Sequence, residues 1–426
     1  MNSRIIKTLW FLQLCSLSGI QVIQFIIPVW VFQTTENINF LGFLYTASFL
    51  PKVVLSPFGG YLIDKFDRRK IVICCSATQA FLALFVAALT SFTLPDLRHI
   101  IVLCVIEMAM SFLHSIQVIS IHTFLPQFTN KNDLTRANAQ FQFADSFSLL
   151  FAPAMAGTIL SLWGVSYPAL VTAMIFIFAA FLFAMTKIED VVAKSTTNLK
   201  NGIFEGYKFI YQSKGWFELL CITSFVNFLF SMSIVAFMPL ALFYTNNNSL
   251  MLGQIYAAGG AGQICGALLM TFIGKNISNP LGLLLNTIIL LGFVGPMVIG
   301  FSSSFLGFAV GMFCMYLCLT TINVLNNSIW LALVPQEFQG RVIATRRSLA
   351  ASLAPIATLL SGPIISHFFL PFTQNETIAF GRLFVFVGIG IVIIGLISLK
   401  IPNLNFLRGE FSNKYQMDPS FQKTFE

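Results

Sequence analysis

Three ionisable side chains, Lys52, Glu107 and Asp145, each fall inside a long apolar stretch. If those stretches are helices, a rise of 1.5 Å per residue puts each group roughly 12–18 Å from the nearer helix end. Ionisable groups that deep in apolar surroundings are costly and mark function by default. The chemistry they permit is reversible protonation. Taking a carboxylate out of water disfavours its charged form, so Glu107 or Asp145 could bind a proton when shielded and release it when rewetted. Lys52 could pair with either and hold it ionised. A purely structural ion pair, Lys52 with Asp145, accounts for the same residues, and for Asp145 both readings stay open. Glu107 favours the chemical reading. Ser111 and His114 follow it at helical spacing, with Ser115 and His122 at the flank of that face.

The elements that must position these groups are helices in a bilayer. Of 426 residues, 57% are hydrophobic and 9% charged, and the mean hydropathy is +0.83. A soluble domain carries about 25% charged residues, so composition excludes a large soluble enzyme. A spanning helix needs about 20 apolar residues. Twelve segments qualify: about 9–34, 40–63, 71–93, 99–125, 134–161, 165–186, 216–244, 250–274, 280–301, 304–333, 342–369 and 378–400. The runs are continuous rather than alternating, which selects helices over a barrel. The first is too long for a cleaved signal region and lacks a small-residue cleavage site. All eight cysteines lie in apolar stretches without metal-ligand spacing, so they read as packing residues.

Lys and Arg set the orientation. With the N-terminus in the cytoplasm, 21 of the 24 cations fall at or near the cytoplasmic side; Arg98 and Arg382 fall outside and Lys52 within a helix. Both termini are therefore expected inside. The net charge of +8 is explained by topology, without a nucleic-acid surface. The longest polar stretch, 187–215, divides an N-terminal six-helix bundle at 1–186 from a C-terminal one at 216–401, with a cytoplasmic tail at 402–426. Within the linker, residues 202–210 read as a short amphipathic helix on the cytoplasmic surface. The halves echo each other: Trp10 to Cys15 matches Trp216 to Cys221, and Leu125-Pro126-Gln127 matches Val334-Pro335-Gln336. Such echoes favour a duplicated unit.

Between the second and third segments runs Gly59-Gly60-Tyr61-Leu62-Ile63-Asp64-Lys65-Phe66-Asp67-Arg68-Arg69-Lys70. Two carboxylates and four cations in its last seven residues place it outside hydrocarbon. This run resembles the loop signature G-x-L-x-D-[RK]-x-G-[RK]-[RK] of the major facilitator superfamily. Asp67 stands where the general pattern has Gly, a variation also found in the macrolide-efflux type. Together with Asn138 to Gly157, Gly206-Tyr207-Lys208-Phe209 and Gln339-Gly340-Arg341-Val342, the loop carries a resemblance along nearly the whole chain. Within the superfamily the likeness is to the macrolide-efflux and enterobactin-exporter type.

The resemblance implies an all-α membrane protein with twelve transmembrane helices in two pseudo-symmetric six-helix bundles. It implies a conformational latch built on Gly60, Asp64, Lys65, Arg68, Arg69 and Arg341. Gly60 would allow close helix approach. Asp64 would sit near the start of helix eleven, where the peptide dipoles favour a carboxylate by ~0.3–1 kcal/mol. The alternative is that the loop only fixes topology. In helix five, Ser148, Ala152, Pro153 and Gly157 resemble the exporter signature G-x-x-x-G-P-x-x-G-G, with small residues replacing three glycines. The family's cavity helices would present Gln13, Gln21 and Gln24; Ser111 and His114; Ser224, Asn227 and Ser231; and Tyr316, Thr320, Asn323, Asn327 and Trp330. For any one of these, ordinary interhelical hydrogen bonding is the competing account.

The resulting expectation is a secondary transporter of the inner (plasma) membrane. It would export an amphipathic small molecule, a drug or siderophore-like metabolite, by proton antiport. Import of a nutrient or siderophore is the alternative within the class. A non-transporting receptor or assembly protein on the same scaffold is the alternative from another class. No Walker loop, zinc signature, Ser-His-Asp order or dinucleotide fingerprint occurs in the sequence. The chain is accordingly not expected to be an enzyme, nor to need a cofactor or metal. Its expected partners are the substrate, protons and lipid, and it is expected to work as a monomer.

Overall fold

A computed structural model describes residues 3–65, 67–92, 96–128, 134–186, 199–274, 277, 279–373, 375–407 and 409; side chains at 3–4, 55–65, 92, 125–127, 134–139, 199–205 and 336–340 are outside the description. The described chain is helical, with no strand. Eleven of its helices are long and apolar enough to cross a membrane, and a further apolar helix covers Ile38–Val54. The large apolar side chains left on the outside, such as Phe81, Met174, Phe272, Phe301 and Ile397, are what a lipid-facing surface requires. They account for much of the phenylalanine excess.

The chain forms two compact units. The first comprises Met1–Thr196 and Thr245–Gly260. It contains α1 (Ser3–Thr35), α2 (Ile38–Lys65), α3 (Arg68–Phe92), α4 (Leu97–Phe128), α5 (Leu134–Trp163) and α6 (Ser166–Met185). Its apolar core gathers Leu9, Leu12, Val72, Ile121, Phe124, Phe141 and Phe183 from α1, α3, α4, α5 and α6. Phe124 and Phe183 meet edge to face at 6.0 Å.

The second unit comprises Thr197–Tyr244 and Ala261–Glu426. It contains α7 (Leu199–Gln212), α8 (Trp216–Tyr244), α10 (Pro280–Gly292), α11 (Val298–Phe301), α12 (Phe305–Leu333), α13 (Gln336–Ala351), α14 (Ala354–Ile364), α15 (Leu370–Thr373) and α16 (Glu376–Ser398). Helix α9 (Ser249–Ile273) is divided between the units at Gly260.

Local chemistry sets the boundaries. Asp96 Oδ1 accepts from the His99 N–H at 2.9 Å and caps α4. That hydrogen bond holds the exposed Asp96 carboxyl below the usual carboxylate range. Asn279, Ser304 and Asn375 cap α10, α12 and α16 in the same way. Gly164, at φ +87°, supplies the left-handed turn between α5 and α6. Two π-helical turns, Phe293–Met297 and Ile365–Phe369, interrupt the α geometry at Pro296 and just after Pro363. Proline removes a backbone donor, and such bulges absorb the loss.

One expectation needs amendment. The eleventh segment, 342–369, is not one uninterrupted helix. It breaks at Ser352 and Leu353, and α14 restarts with Pro355 in its first turn. The linker carries the helix expected over 202–210. Its second half forms α7, which packs on α13, where Gly206 lies against Thr345 and the Arg341 carbonyl. Ile210 is buried while Tyr207 and Tyr211 stack on the exposed side.

Candidate functional site

The interior of the first unit is organised by one face of α4. Glu107, Ser111, His114 and Gln117 recur every three or four residues, which aligns them along a helix. Glu107 is 1% exposed. One carboxylate oxygen accepts from Ser48 Oγ of α2 at 2.8 Å; the other is buried with no hydrogen-bond partner among the described residues. Lys52 lies one turn beyond Ser48 on α2, close enough for its charge to act on Glu107. The Lys52 ammonium also stands 5.5 Å from the centroid of the Phe49 ring, a cation–π distance.

Below Glu107 the partners come mainly from α1. Gln24 Nε2 donates to Ser111 Oγ at 3.2 Å. Ser16 Oγ lies 3.1 Å from His114 Nδ1 and donates to Gln117 Oε1 at 3.0 Å. Gln117 in turn donates to Ser76 of α3 at 2.9 Å. On the α5 side, Gln13 Nε2 donates to Asp145 Oδ1 at 3.3 Å, and Ser18 meets Ser148 at 3.1 Å. The structure therefore gathers Lys52, Glu107, Ser111, His114, Gln13, Gln24 and Asp145 into one interior, strung along α1. Lys52 acts on Glu107, while Asp145 takes a neutral partner in Gln13. Sequence reasoning missed Ser16, Ser48, Ser76 and Gln117. Gln117 alone carried a signal, three residues after His114; isolated serines in apolar runs carry none.

The small residues of α5 make a close crossing. Ser148, Ala152, Pro153 and Gly157 are all buried. A side chain at Gly157 would strike the Ser249 carbonyl and the Gly253 backbone of α9, and one at Gly253 would strike the Pro153 carbonyl. Small residues are what such backbone approach requires.

Of the expected latch, Gly60, Asp64 and Lys65 have side chains outside the described residues. Arg68 is buried, Arg69 donates to the Ala184 carbonyl at 2.7 Å, and Arg341 is exposed. Asp67, the departure from the loop pattern, caps α3. Its Oδ1 accepts from the N–H groups of Arg69 at 2.9 Å and Lys70 at 3.3 Å.

The second unit disposes its polar residues differently. Asn227 donates to the Ala350 carbonyl at 3.1 Å. Ser231 is buried, Tyr316 meets Phe230 edge to face at 6.3 Å, and Asn323 is exposed. Trp330 is fully buried, 4.3 Å from Trp216, and donates to Asn326. Arg346 lies 5.5 Å over Trp330 and donates to Asn327 at 3.3 Å. Among the described residues no group of three or more His, Cys, Asp or Glu is arranged to hold a metal.

Comparison with known proteins fits this architecture. The profile of the Major Facilitator Superfamily matches residues 9–359. Macrolide efflux protein A of Streptococcus pyogenes is 24% identical, covering 85% of this chain and 91% of that protein. A protein of the same name from Enterococcus faecalis is also 24% identical, covering 72% of this chain and 95% of its own length. Among solved structures, the nucleoside transporter NupG superposes with a TM-score of 0.68 at 13% identity, covering 94% of this chain and 99% of that one. A bacterial homologue of the iron transporter ferroportin, in an inward-facing state, gives 0.68 at 14% identity with the same coverage. These structural likenesses bear on the fold. With the profile covering most of the sequence, the chain is a multi-pass membrane transporter that belongs to the major facilitator superfamily and resembles its macrolide-efflux members.

Proposed function

We propose that this transporter exports an amphipathic small molecule across the plasma membrane by proton antiport, working as a monomer with both termini in the cytoplasm. The observation that carries the reading is the pair of carboxylates inside the first unit. Glu107 and Asp145 are each held by one neutral side-chain donor, Ser48 and Gln13 respectively. A carboxyl group held that way can change protonation without tearing an arginine-type ion pair apart. A proton arriving from outside would neutralise one of them and lower the penalty of shielding it. That would favour the change of state in which substrate leaves. Lys52 would tune Glu107 by keeping its charged form accessible. The macrolide-efflux relatives support a bulky amphipathic cargo, and the small-residue face of α5 supports export. Asp64 with Arg68, Arg69 and Arg341 would latch the cytoplasmic side.

The test is proton release from energised everted vesicles. Adding a macrolide should release lumenal protons from vesicles carrying the wild-type chain, and Glu107→Gln or Asp145→Asn should abolish the release. Normal release by both variants would refute the coupling role. Asp64→Asn should slow turnover while leaving substrate binding largely intact.

A further inference from the structure

Four polar side chains of α1, α3 and α4 form one directed chain of hydrogen bonds. Gln117 Nε2 donates to Ser76 Oγ at 2.9 Å, which turns Gln117 Oε1 towards Ser16. Ser16 Oγ donates to that oxygen at 3.0 Å and lies 3.1 Å from His114 Nδ1. A hydroxyl has a single proton to donate. With that proton directed to Gln117, Ser16 can only accept from the imidazole. Nδ1 must then carry a hydrogen, and in the neutral ring the lone pair resides on Nε2.

The burial pattern separates the ring from its supports. Ser16, Ser76 and Gln117 are each 0% exposed, so none can touch a ligand. His114 is 8% exposed. No described residue bonds its Nε2, so the lone pair there has no protein donor among the described residues. His114 lies on the same α4 face as Ser111 and Glu107, and Lys52 is close enough for its charge to act on the ring.

We propose that the Ser76–Gln117–Ser16 chain is a tautomer clamp. It holds His114 with its proton on Nδ1 and keeps Nε2 as the acceptor for a hydroxyl or ammonium donor on the transported molecule. The ligand half of this proposal rests on the export reading above; the clamp does not. Ser16, Ser76 and Gln117 are positioning residues, and His114 determines specificity. A cargo lacking the donor would leave Nε2 desolvated and unpaired, and selectivity follows from that penalty.

Two experiments decide it. In the full chain reconstituted with isotope-labelled histidine, nitrogen NMR reads the tautomer directly. His114 is assigned among His99, His114, His122 and His367 by the signal lost in His114→Gln. The wild type should show Nδ1–H. Ser16→Ala and Gln117→Leu should admit the Nε2–H form, and Ser16→Thr, which restores the hydroxyl, should return the wild-type signal. An Nε2–H ring in the wild type, or no change in Ser16→Ala and Gln117→Leu, overturns the clamp and leaves export untouched. The second experiment measures transport of a macrolide series in everted vesicles, each hydroxyl methylated in turn. One member should lose about tenfold in apparent affinity for the wild type and nothing for His114→Phe. Equal losses in both proteins overturn the acceptor role. If the wild type moves no macrolide, the ligand half falls together with the export reading, while the NMR result still decides the clamp.

Discussion

In the first unit, interior polar side chains reach across to other helices: Gln13 to Asp145, Ser16 to His114, Gln24 to Ser111, Ser48 to Glu107. In the second, many turn back on their own helix, as Ser120 and Thr172 also do in the first. Thr223, Ser224, Thr321 and Thr358 all bond carbonyls three or four residues earlier. Where the second unit does make a polar cluster, it is built on aromatic surface, with Trp330 between Trp216 and Arg346. Two halves with an echoing sequence thus put different chemistry inside the same architecture. Side chains satisfied by their own backbone disturb helix packing least. Those satisfied only by a neighbouring helix tie that helix's position to a protonation or tautomer state. On the export reading proposed above, coupling would belong to the first unit and mechanical support to the second.

Trp330→Ala is the largest blow the comparison predicts. Removing a fully buried tryptophan should lower stability by about 3–5 kcal/mol, read by thermal unfolding in detergent. The protein that remains folded should still release protons on substrate addition. A stable Trp330→Ala protein with lost coupling would reverse the assignment of roles. Glu107→Gln and Asp145→Asn should behave oppositely. Their proton-driven transport should fall at least about a hundredfold, with little change in unfolding temperature. A parallel collapse of stability would mean that the carboxylates serve as scaffold.

Gly157→Leu sharpens the picture within the first unit. The new side chain meets the Ser249 carbonyl and the Gly253 backbone. Overpacking of that kind costs about 1–3 kcal/mol, and an unchanged unfolding temperature would show that α5 and α9 are free to part there. The smallest effect belongs to Asp96. Its carboxyl is held below the usual range by the His99 N–H. Its contribution is therefore present above a pH of about 4 and disappears as pH falls through the lowered folded-state value. Asp96→Asn should flatten that part of the stability-versus-pH curve and nothing else. An identical acid limb in both proteins would mean the cap is not formed.

Much of the architecture was legible because lipid leaves the backbone few options. Long apolar runs must be helices. Glu107, Asp145 and Lys52 were legible for the same reason, as exceptions to the rule. Their partners were not. Whether Ser48 meets Glu107 or faces lipid depends on the rotation of α2 against α4, and one serine in an apolar helix says nothing about rotation. Pro355 suits the first turn of α14, but Pro28 and Pro153 lie inside unbroken helices, so proline alone does not mark a break in a membrane helix. Asp67 departs from the loop pattern, and an acidic residue directly before Arg68-Arg69-Lys70 is also a helix start.

The polar residues of α1 bear on how the protein is made. Gln13, Ser16 and Gln24 find their partners on α4 and α5, between 87 and 132 residues later in the chain. At about 5–20 residues per second, the first helix enters the bilayer roughly 4–26 seconds before those partners have been synthesised. Its amides and hydroxyl have no interhelical partners through that interval. The polar contacts of α1 with α4 and α5 can therefore close only late in synthesis, after the helix that starts the chain is already in place.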